Sequence, residues 1–207
     1  MKRIKKLLFV VMAVVCISFV NTDKPWVKHL DKNGAQVYLR ECDNCKIKEF
    51  KAQTKVSAPI TKTLALLLDF HNYPKWVFTN KGTFQIDKKN ADEYIYYTLI
   101  DCPKPTEDRD LVVDFKIVEK SDNHCLIKTS TLPKYVAEKP KIVRVQIFSG
   151  TWELVKISES ETQVTTTCYS DPGGTVPAWL INTFIVTGPY NTMVRMQEML
   201  NPKPAKK

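Results

Sequence analysis

The sequence predicts an α+β fold, built as a curved antiparallel β-sheet with one long C-terminal helix. Stretches with strand periodicity follow one another in runs and stay separate from the helical stretches, an order that indicates α+β rather than alternating α/β. The first half of the helical stretch 177–200 is apolar on nearly every side. Such a helix must be covered on most sides, and a curved sheet wrapped around it satisfies this need. A core helix packed on a flat sheet is the alternative.

The chain has 207 residues, a length that suits one domain. Its first six residues are mostly basic, and residues 7–20 are almost wholly apolar. This pattern is typical of a secretory signal, and the apolar segment is short for a transmembrane span, although an uncleaved anchor is the alternative. We therefore predict a signal peptide at 1–22, a domain at 23–200 and a basic, proline-containing tail at 201–207. We expect an exported protein, periplasmic or secreted.

The formal net charge of +9 is concentrated at the two ends of the chain. Four positive charges lie in the first six residues and three in the last five, which leaves about +2 for the body of the protein. Nucleic-acid binding requires a concentrated basic face, so we expect no nucleic-acid partner. A weak attraction to an anionic membrane surface is compatible with this charge.

Five cysteines lie outside the predicted signal, so at least one thiol is free. Cys42 and Cys45 flank a predicted two-residue turn, where two cysteines can lie close enough for a disulfide, and an exported protein would permit this bond. A thioredoxin-like motif does not fit between two strands. No second pair of Cys or His residues completes a zinc site, and we expect neither a metal nor a cofactor.

Alternating apolar and polar residues predict the strands, and clusters of Asp, Asn and Gly predict the turns between them. Ser57 is predicted to cap a helix that has Pro59 in its first turn. In chain order, the predicted elements are one or two helical turns at 23–30, a turn at 31–34, a hairpin of 36–41 and 46–56, the capped helix up to residue 70, strands at 83–87, 93–100, 111–118, 125–132, 142–148, 151–158 and 163–170, and the helix at 177–200.

The turn that leads into the last helix contains Gly173 and Gly174, which take positive φ angles without strain. Pro177 suits the first turn of a helix, where its missing N–H is not needed. Farther along, Gly188-Pro189 is expected to kink or interrupt the helix.

The sequence offers no recognisable catalytic centre. None of the three histidines stands near a Ser or Cys in a nucleophile motif, and the chain has neither a P-loop nor a dinucleotide-binding glycine motif. We therefore assign no catalytic residue and favour a role that is not enzymatic.

An ordered set of motifs resembles the START lipid-transfer domain. The resemblance covers residues 26–200, and no single motif in it is diagnostic. The motifs are the segment Lys-Glu-Phe-Lys at 48–51, the segment 69–76, Pro103-x-Pro105 leading to Arg109-Asp110, Val143-Arg144 before Gly150-x-Trp152, and Asp-Pro-Gly-Gly-Thr-Val-Pro-Ala-Trp-Leu-Ile-Asn at 171–182. The resemblance implies a helix-grip fold, in which a curved antiparallel sheet surrounds the C-terminal helix and an internal apolar cavity holds one hydrophobic molecule.

The resemblance also implies a lid formed by the C-terminal helix and a nearby loop. Residues 133–140 are the candidate loop, because they present Tyr135-Val136 beside several lysines. A solvated loop is the alternative. Extraction of a lipid by lid opening implies a monomer that contacts a membrane transiently.

Apolar positions that should face inward are the candidate ligand contacts, although ordinary core packing uses the same residue types. Arg109 is added as a charge that could meet a head group or a hydroxyl, with a structural ion pair to Asp110 as the alternative. The candidates for ligand binding are Val113, Phe115, Val145, Ile147, Trp152, Trp179, Phe184 and Arg109.

The predicted function is the binding of one lipid-like molecule in an internal cavity, for transfer or sensing outside the cytoplasm. The wider helix-grip superfamily includes cyclases and aromatases that use the same kind of cavity, and such an enzyme is the alternative. A protein-interaction module with a filled core is a third hypothesis, which predicts an exposed apolar patch.

Overall fold

The computed structural model describes residues 24–43 and 45–201. The predicted signal peptide (1–22) and residues 202–207 of the predicted tail lie outside the described residues. The elements are β1 (Val27–Lys32), β2 (Ala35–Arg40), β3 (Glu49–Val56), α1 (Ile60–Leu68), a 3₁₀ turn (Phe70–Asn72), α2 (Tyr73–Trp76), β4 (Asn80–Asn90), β5 (Glu93–Ile100), β6 (Asp108–Lys120), β7 (His124–Thr131), β8 (Ile142–Arg144), β9 (Ile147–Ser158), β10 (Glu161–Asp171), α3 (Ala178–Asn182), a π-helical segment (Thr183–Thr187) and α4 (Gly188–Leu200).

One curved sheet holds all the strands, in the order β1-β2-β3-β10-β9-β7-β6-β5-β4, with β8 beside the start of β6. Every pair along this path is antiparallel, and among the strands that the structure describes the β6–β8 pair alone is parallel. The N-terminal hairpin reaches the rest of the sheet because β3 pairs with the last strand, β10. The predicted α+β fold, a curved antiparallel sheet with a long C-terminal helix, is confirmed.

The two faces of the sheet carry two separate apolar clusters. We call the face that α1 and α4 cover the inner face, and the opposite one the outer face. Successive residues of a strand point to opposite faces, so Val113 and Phe115 of β6 join the main core with the helices, whereas Val112 joins Ile95 and Tyr97 in a smaller cluster on the outer face.

Residues 27–32 form a strand in place of the helical turns predicted at 23–30. β1 pairs with β2 along its length, and its side chains are mostly exposed. Asn33 and Gly34, inside the predicted turn at 31–34, have φ angles of 53° and 73°. Two consecutive positive φ angles are what a tight two-residue hairpin turn requires. This turn folds the preceding residues back onto β2 as an edge strand.

Two further differences from the prediction concern the start of α1 and the division between β8 and β9. α1 begins at Ile60 with Pro59 at its N-cap and without a side-chain cap, so Ser57 does not cap it. The predicted strands 142–148 and 151–158 are divided elsewhere, because β8 ends at Arg144 and β9 then runs without interruption through Gly150. Gly150 is not a turn residue: a Cβ there would lie 2.6 Å from the carbonyl oxygen of Thr167 on β10, and the close approach of the two strands requires glycine.

The C-terminal helix changes its winding just before Gly188-Pro189. α3 leads into the π-helical segment, and α4 follows directly. Pro189 cannot donate a hydrogen bond to the preceding turn, and the π-helical segment ends directly before Gly188-Pro189. In the described part of the chain, no helix has both the length and the apolar character needed to cross a bilayer.

Candidate functional site

A pocket of about 260 Å³ lies between the inner face of the sheet, α2 and the C-terminal helix. Strands β5, β6, β9 and β10 form its floor, and residues from the π-helical segment and the start of α4 close it from above. Its apolar lining includes Phe50, Trp76, Tyr96, Leu111, Val113, Val145, Trp152, Ile181, Phe184 and Met193.

Five of the eight predicted ligand-binding residues line this pocket. They come from β6, from the β8–β9 connection, from β9 and from the C-terminal helix, so the fold brings together residues that are far apart in sequence. They are Arg109, Val113, Val145, Trp152 and Phe184. Contact between these side chains and a ligand stays a prediction.

The other three predicted residues lie outside the pocket. Phe115 is fully buried in the filled part of the core, where the centroid of its ring lies 5.6 Å from that of Phe70. Ile147 is 52% exposed because β9 is continuous, so that Phe148 and Trp152 share the inner face and Ile147 points away from it. Trp179 is 53% exposed, since α3 turns the next residues, Leu180 and Ile181, towards the protein instead.

An aromatic wall at one side of the pocket was not predicted from the sequence. It consists of Tyr73, Trp76 and Tyr96, whose rings contact one another or Phe70. The segment Tyr73-Pro-Lys-Trp76 reads in the sequence as the end of a helix, although two large aromatic side chains at spacing three in a helical turn are a signal for burial.

The titratable groups in this wall keep their protons. The Tyr73 hydroxyl donates a hydrogen bond to the carbonyl oxygen of Leu67 at 2.6 Å. Burial raises the pKa of Tyr73, of Tyr96 and of the nearby Cys168 thiol, each of which lines the pocket. All three are therefore neutral at physiological pH.

A polar corner lies where β4, β5 and β6 meet the turn 171–176. Asn80 donates from Nδ2 to the hydroxyl oxygens of Thr83 (2.8 Å) and Thr98 (2.7 Å), while its buried Oδ1 has no partner. Arg109, next to Ile100 in the sheet, lines the same corner. Its side chain does not pair with Asp110, so the ion pair that the sequence allowed as an alternative is absent there.

Asp110 instead pairs with Arg144 on the outer face. Arg144 Nε lies 2.7 Å from Asp110 Oδ1 and Nη2 lies 3.1 Å from Oδ2, and both side chains are buried. Arg144 also donates to the carbonyl oxygens of Pro133 (2.6 Å), Val136 (3.1 Å) and Ala137 (3.4 Å). These hydrogen bonds hold the start of the loop 133–140 on the outer face, away from the pocket. The prediction that this loop forms a lid over the cavity is therefore wrong.

A second cleft adjoins the pocket and lies between the N-terminal strands and the C-terminal helix. The pocket and the cleft share four lining residues, which lie at the boundary between them: Ile47, Lys48, Ile181 and Ile185. The segment 46–48 follows the disulfide between Cys42 and Cys45, whose Cα atoms are 5.4 Å apart. Cys102, Cys125 and Cys168 are free.

Across the described ranges 24–43 and 45–201, no three His, Cys, Asp or Glu side chains come together in a way that could hold a metal ion. The pocket is defined instead by apolar and aromatic side chains with a few polar groups, which is the usual character of a site for a hydrophobic small molecule.

A curved antiparallel sheet with a pocket between its inner face and a C-terminal helix defines the helix-grip class. Within that class, the family model described as START domain matches residues 18–206. The chain therefore belongs to the START domain family.

Individual proteins share sequence or fold with this chain. An uncharacterized protein of Pseudomonas aeruginosa is 28% identical over 193 residues, which cover 93% of this chain and 95% of that protein. The crystal structure of the STAR-related lipid transfer protein from Xanthomonas axonopodis superposes with a TM-score of 0.78 at 24% identity, covering 85% of this chain and 98% of that one. An aromatase/cyclase from Streptomyces shares the fold more distantly, with a TM-score of 0.55, 11% identity and coverages of 74% and 93%.

Proposed function

We propose that this protein binds a single lipid-like molecule in the pocket on the inner face and carries or senses it outside the cytoplasm. The observation that carries the proposal is the pocket itself, with its apolar and aromatic lining at the centre of a START domain. Each methylene group buried there contributes about 0.8 kcal/mol relative to water. A lipid in a bilayer is already shielded from water, so exchange between membrane and pocket is close to balance and reversible.

The ligand enters between the segment 46–48 and the C-terminal helix, where Ile47 and Lys48 face Ile181 and Ile185 across the boundary of pocket and cleft. The pocket volume of about 260 Å³ lies just below the range of about 300–1,000 Å³ that small-molecule sites span. A long acyl chain therefore extends into the cleft or displaces the helix. The protein acts as a monomer that touches a membrane transiently during exchange.

The disulfide between Cys42 and Cys45 supports a location outside the cytoplasm, because such bonds persist in oxidising compartments. The basic and apolar start of the chain has the pattern of an export signal. An oxidising location and an export signal agree with each other, and both fit a periplasmic or secreted carrier.

Binding is favoured over the cyclase or aromatase alternative by the chemistry of the pocket. Catalysis of that kind needs an acid or base with a pKa close to the working pH. Tyr73, Tyr96 and Cys168 have raised pKa values, so they hold their protons and cannot act as bases at neutral pH.

Native mass spectrometry of the full chain, purified from cells without detergent, tests the proposal. We expect a one-to-one adduct of a few hundred daltons or more, and solvent extraction then identifies the lipid. Val113→Phe, which fills the pocket, should lower the adduct fraction, while Ile147→Phe on the outer side of β9 should leave it unchanged. A bare protein mass that no added lipid mixture shifts would overturn the proposal.

A further inference from the structure

One side of the proposed ligand entrance belongs to the connection between β2 and β3. Its residues 46–48 line the cleft, opposite Ile181 and Ile185 of the C-terminal helix. The disulfide between Cys42 and Cys45 closes a loop directly before these residues, and the backbone N–H of Cys45 donates to the carbonyl oxygen of Cys42 at 3.4 Å. A covalent constraint therefore lies next to the entrance.

The strand pairing ends before the disulfide loop begins. The last β2–β3 pair is Arg40 with Glu49, and Arg40 Nε donates to Glu49 Oε2 at 2.5 Å. A disulfide across so short a loop also restricts the unfolded chain less than one across a long loop. Its main effect is therefore local, because it restricts the start of the segment 46–48 and not the register of the sheet.

Two ion pairs also attach this connection to its neighbours. Lys24 Nζ lies 2.9 Å from Asp43 Oδ1, and Lys46 Nζ lies 3.1 Å from Asp171 Oδ2. Asp171 accepts a further hydrogen bond from the backbone N–H of Gly173 at 3.0 Å, in the turn that leads into the C-terminal helix. Asp43 and Lys46 are well exposed, and exposed ion pairs contribute little. Once the disulfide is opened, such contacts hold the start of the segment 46–48 only weakly.

The disulfide is also the place where thiol chemistry reaches the protein. Cys42 and Cys45 are only partly buried, and disulfides that solvent reaches are reduced more easily than enclosed ones. Burial raises the pKa of the three free thiols, Cys102, Cys125 and Cys168. A thiol with a raised pKa forms little of the thiolate that reacts in exchange. Within residues 24–43 and 45–201, disulfide exchange is therefore centred on Cys42 and Cys45.

On the basis of the proposed function, we infer that the Cys42–Cys45 disulfide is a redox switch for ligand exchange and that a dithiol, such as a reduced thiol–disulfide oxidoreductase, opens it. One thiolate of the dithiol attacks a disulfide sulfur and forms a mixed disulfide, and the second thiol then displaces the protein. Two electrons and two protons pass to the protein, so that both cysteines become thiols and the dithiol becomes a disulfide.

The switch acts on the rate of exchange. The oxidised form restrains the segment 46–48 against the C-terminal helix and retains the ligand. The reduced form opens the entrance more often, as a mobile lid does. Entry and exit use the same entrance, so both rates rise together and the affinity stays nearly constant.

Ligand release from oxidised and reduced full chain tests the inference. The probes are cis-parinaric acid and dehydroergosterol, which accept excitation energy from Trp76 and Trp152 in the pocket. Release is followed after mixing with excess phosphatidylcholine vesicles, and dithiothreitol without denaturant is the reductant. We expect release to become about five-fold faster or more, while the equilibrium affinity changes by less than about two-fold. Alkylation and mass analysis should locate the new thiols at Cys42 and Cys45.

The double substitution Cys42→Ser and Cys45→Ser should release the probes as fast as the reduced wild-type protein, with no response to dithiothreitol. Asp43→Asn removes the ion pair with Lys24 but keeps the disulfide, and this matched control should stay within about two-fold of the oxidised rate.

Three results overturn the inference and leave the carrier function intact: equal release rates before and after reduction, reduction that requires urea, or loss of probe binding on reduction. A double variant as slow as the oxidised wild-type protein also overturns it. Failure of the oxidised protein to bind either probe overturns the proposed function as well as the inference.

Discussion

Buried charges have different partners on the two faces of the sheet, as two adjacent residues of β6 show. Asp110 points to the outer face, where Arg144 binds both of its oxygens and also ties down the loop 133–140. Arg109 points to the inner face, where protein carbonyl groups occupy only part of its guanidinium. Both side chains are buried to almost the same extent. The difference indicates that the outer charge is paired within the fold, while the inner charge keeps an unpartnered Nε at the pocket.

The largest expected effect is the difference in stability between the Arg144 and Arg109 substitutions. Arg144→Met leaves Asp110 buried without a counter-charge, so we expect a loss of about 3–5 kcal/mol in the free energy of unfolding. Arg109→Met removes a charge that has no partner, and the ligand-free protein should change by no more than about 1 kcal/mol in either direction. Urea unfolding of delipidated protein measures both. Equal losses for the two variants would remove the distinction between the faces.

The second largest expected effect is a difference in stability between substitutions in the filled part of the core and in the pocket. Phe115→Ala deletes a fully buried ring in the aromatic cluster around Phe70 and should cost about 3 kcal/mol or more. Phe184 lines the pocket and is partly exposed, so Phe184→Ala should cost about 1 kcal/mol. Thermal and urea unfolding of the ligand-free variants test the order. A cost for Phe184→Ala as large as that for Phe115→Ala would show that the pocket is packed like the core.

A smaller effect is expected where β9 and β10 lie close together beneath the pocket. In Gly150→Ala the new methyl group meets the carbonyl oxygen of Thr167 at 2.6 Å, and backbone cannot move aside easily. We expect a loss of about 1–3 kcal/mol in unfolding free energy. Gly82→Ala in β4 is the control, because nothing lies within 4 Å of a Cβ built there. An unchanged urea midpoint for Gly150→Ala would mean that β9 and β10 can separate at this point.

The smallest expected effect is a pH dependence of stability that arises from Asp87 on the outer face. Hydrogen bonds from Lys89 and then from Tyr135 and the Lys88 backbone lower the pKa of Asp87 to about 2. A carboxylate with a lowered pKa stabilises the fold above its unfolded pKa of about 3.9, and this stabilisation disappears as the pH falls through the folded value.

The urea midpoint of the wild-type protein should therefore exceed that of Asp87→Asn at pH 5, and the two should converge as the pH falls from 4 to 2. Because the Asp87 side chain is accessible to solvent, salt should weaken the difference. A difference that persists unchanged at pH 2 would exclude the ionised carboxylate as its cause.

The ion pair between Asp110 and Arg144 could not be predicted from the sequence, because it depends on the register of two strands. Arg109-Asp110 and Val143-Arg144 are recognisable in the sequence, but only the parallel register of β8 with β6, in which Asp110 lies beside Arg144, decides which arginine pairs with the acid. The same register explains the loop 133–140. Its aromatic and basic residues suggest a lid, yet the hydrogen bonds of Arg144 hold its start on the face opposite the pocket.

By itself, the sequence determined the α+β class, the family, the helix after the Gly173-Gly174 turn and the inward direction of Val113 and Trp152. The class, the helix and the inward direction follow from local periodicity and turn chemistry, which act over a few residues, whereas the family was identified from its resemblance to an ordered set of motifs. The tertiary structure alone decided that Ile147 points outward, that Phe115 fills the core and that Arg144 rather than Arg109 pairs with Asp110. A filled core and a pocket require the same apolar residues, and the side on which a residue lies depends on where each strand begins, which distant partners determine.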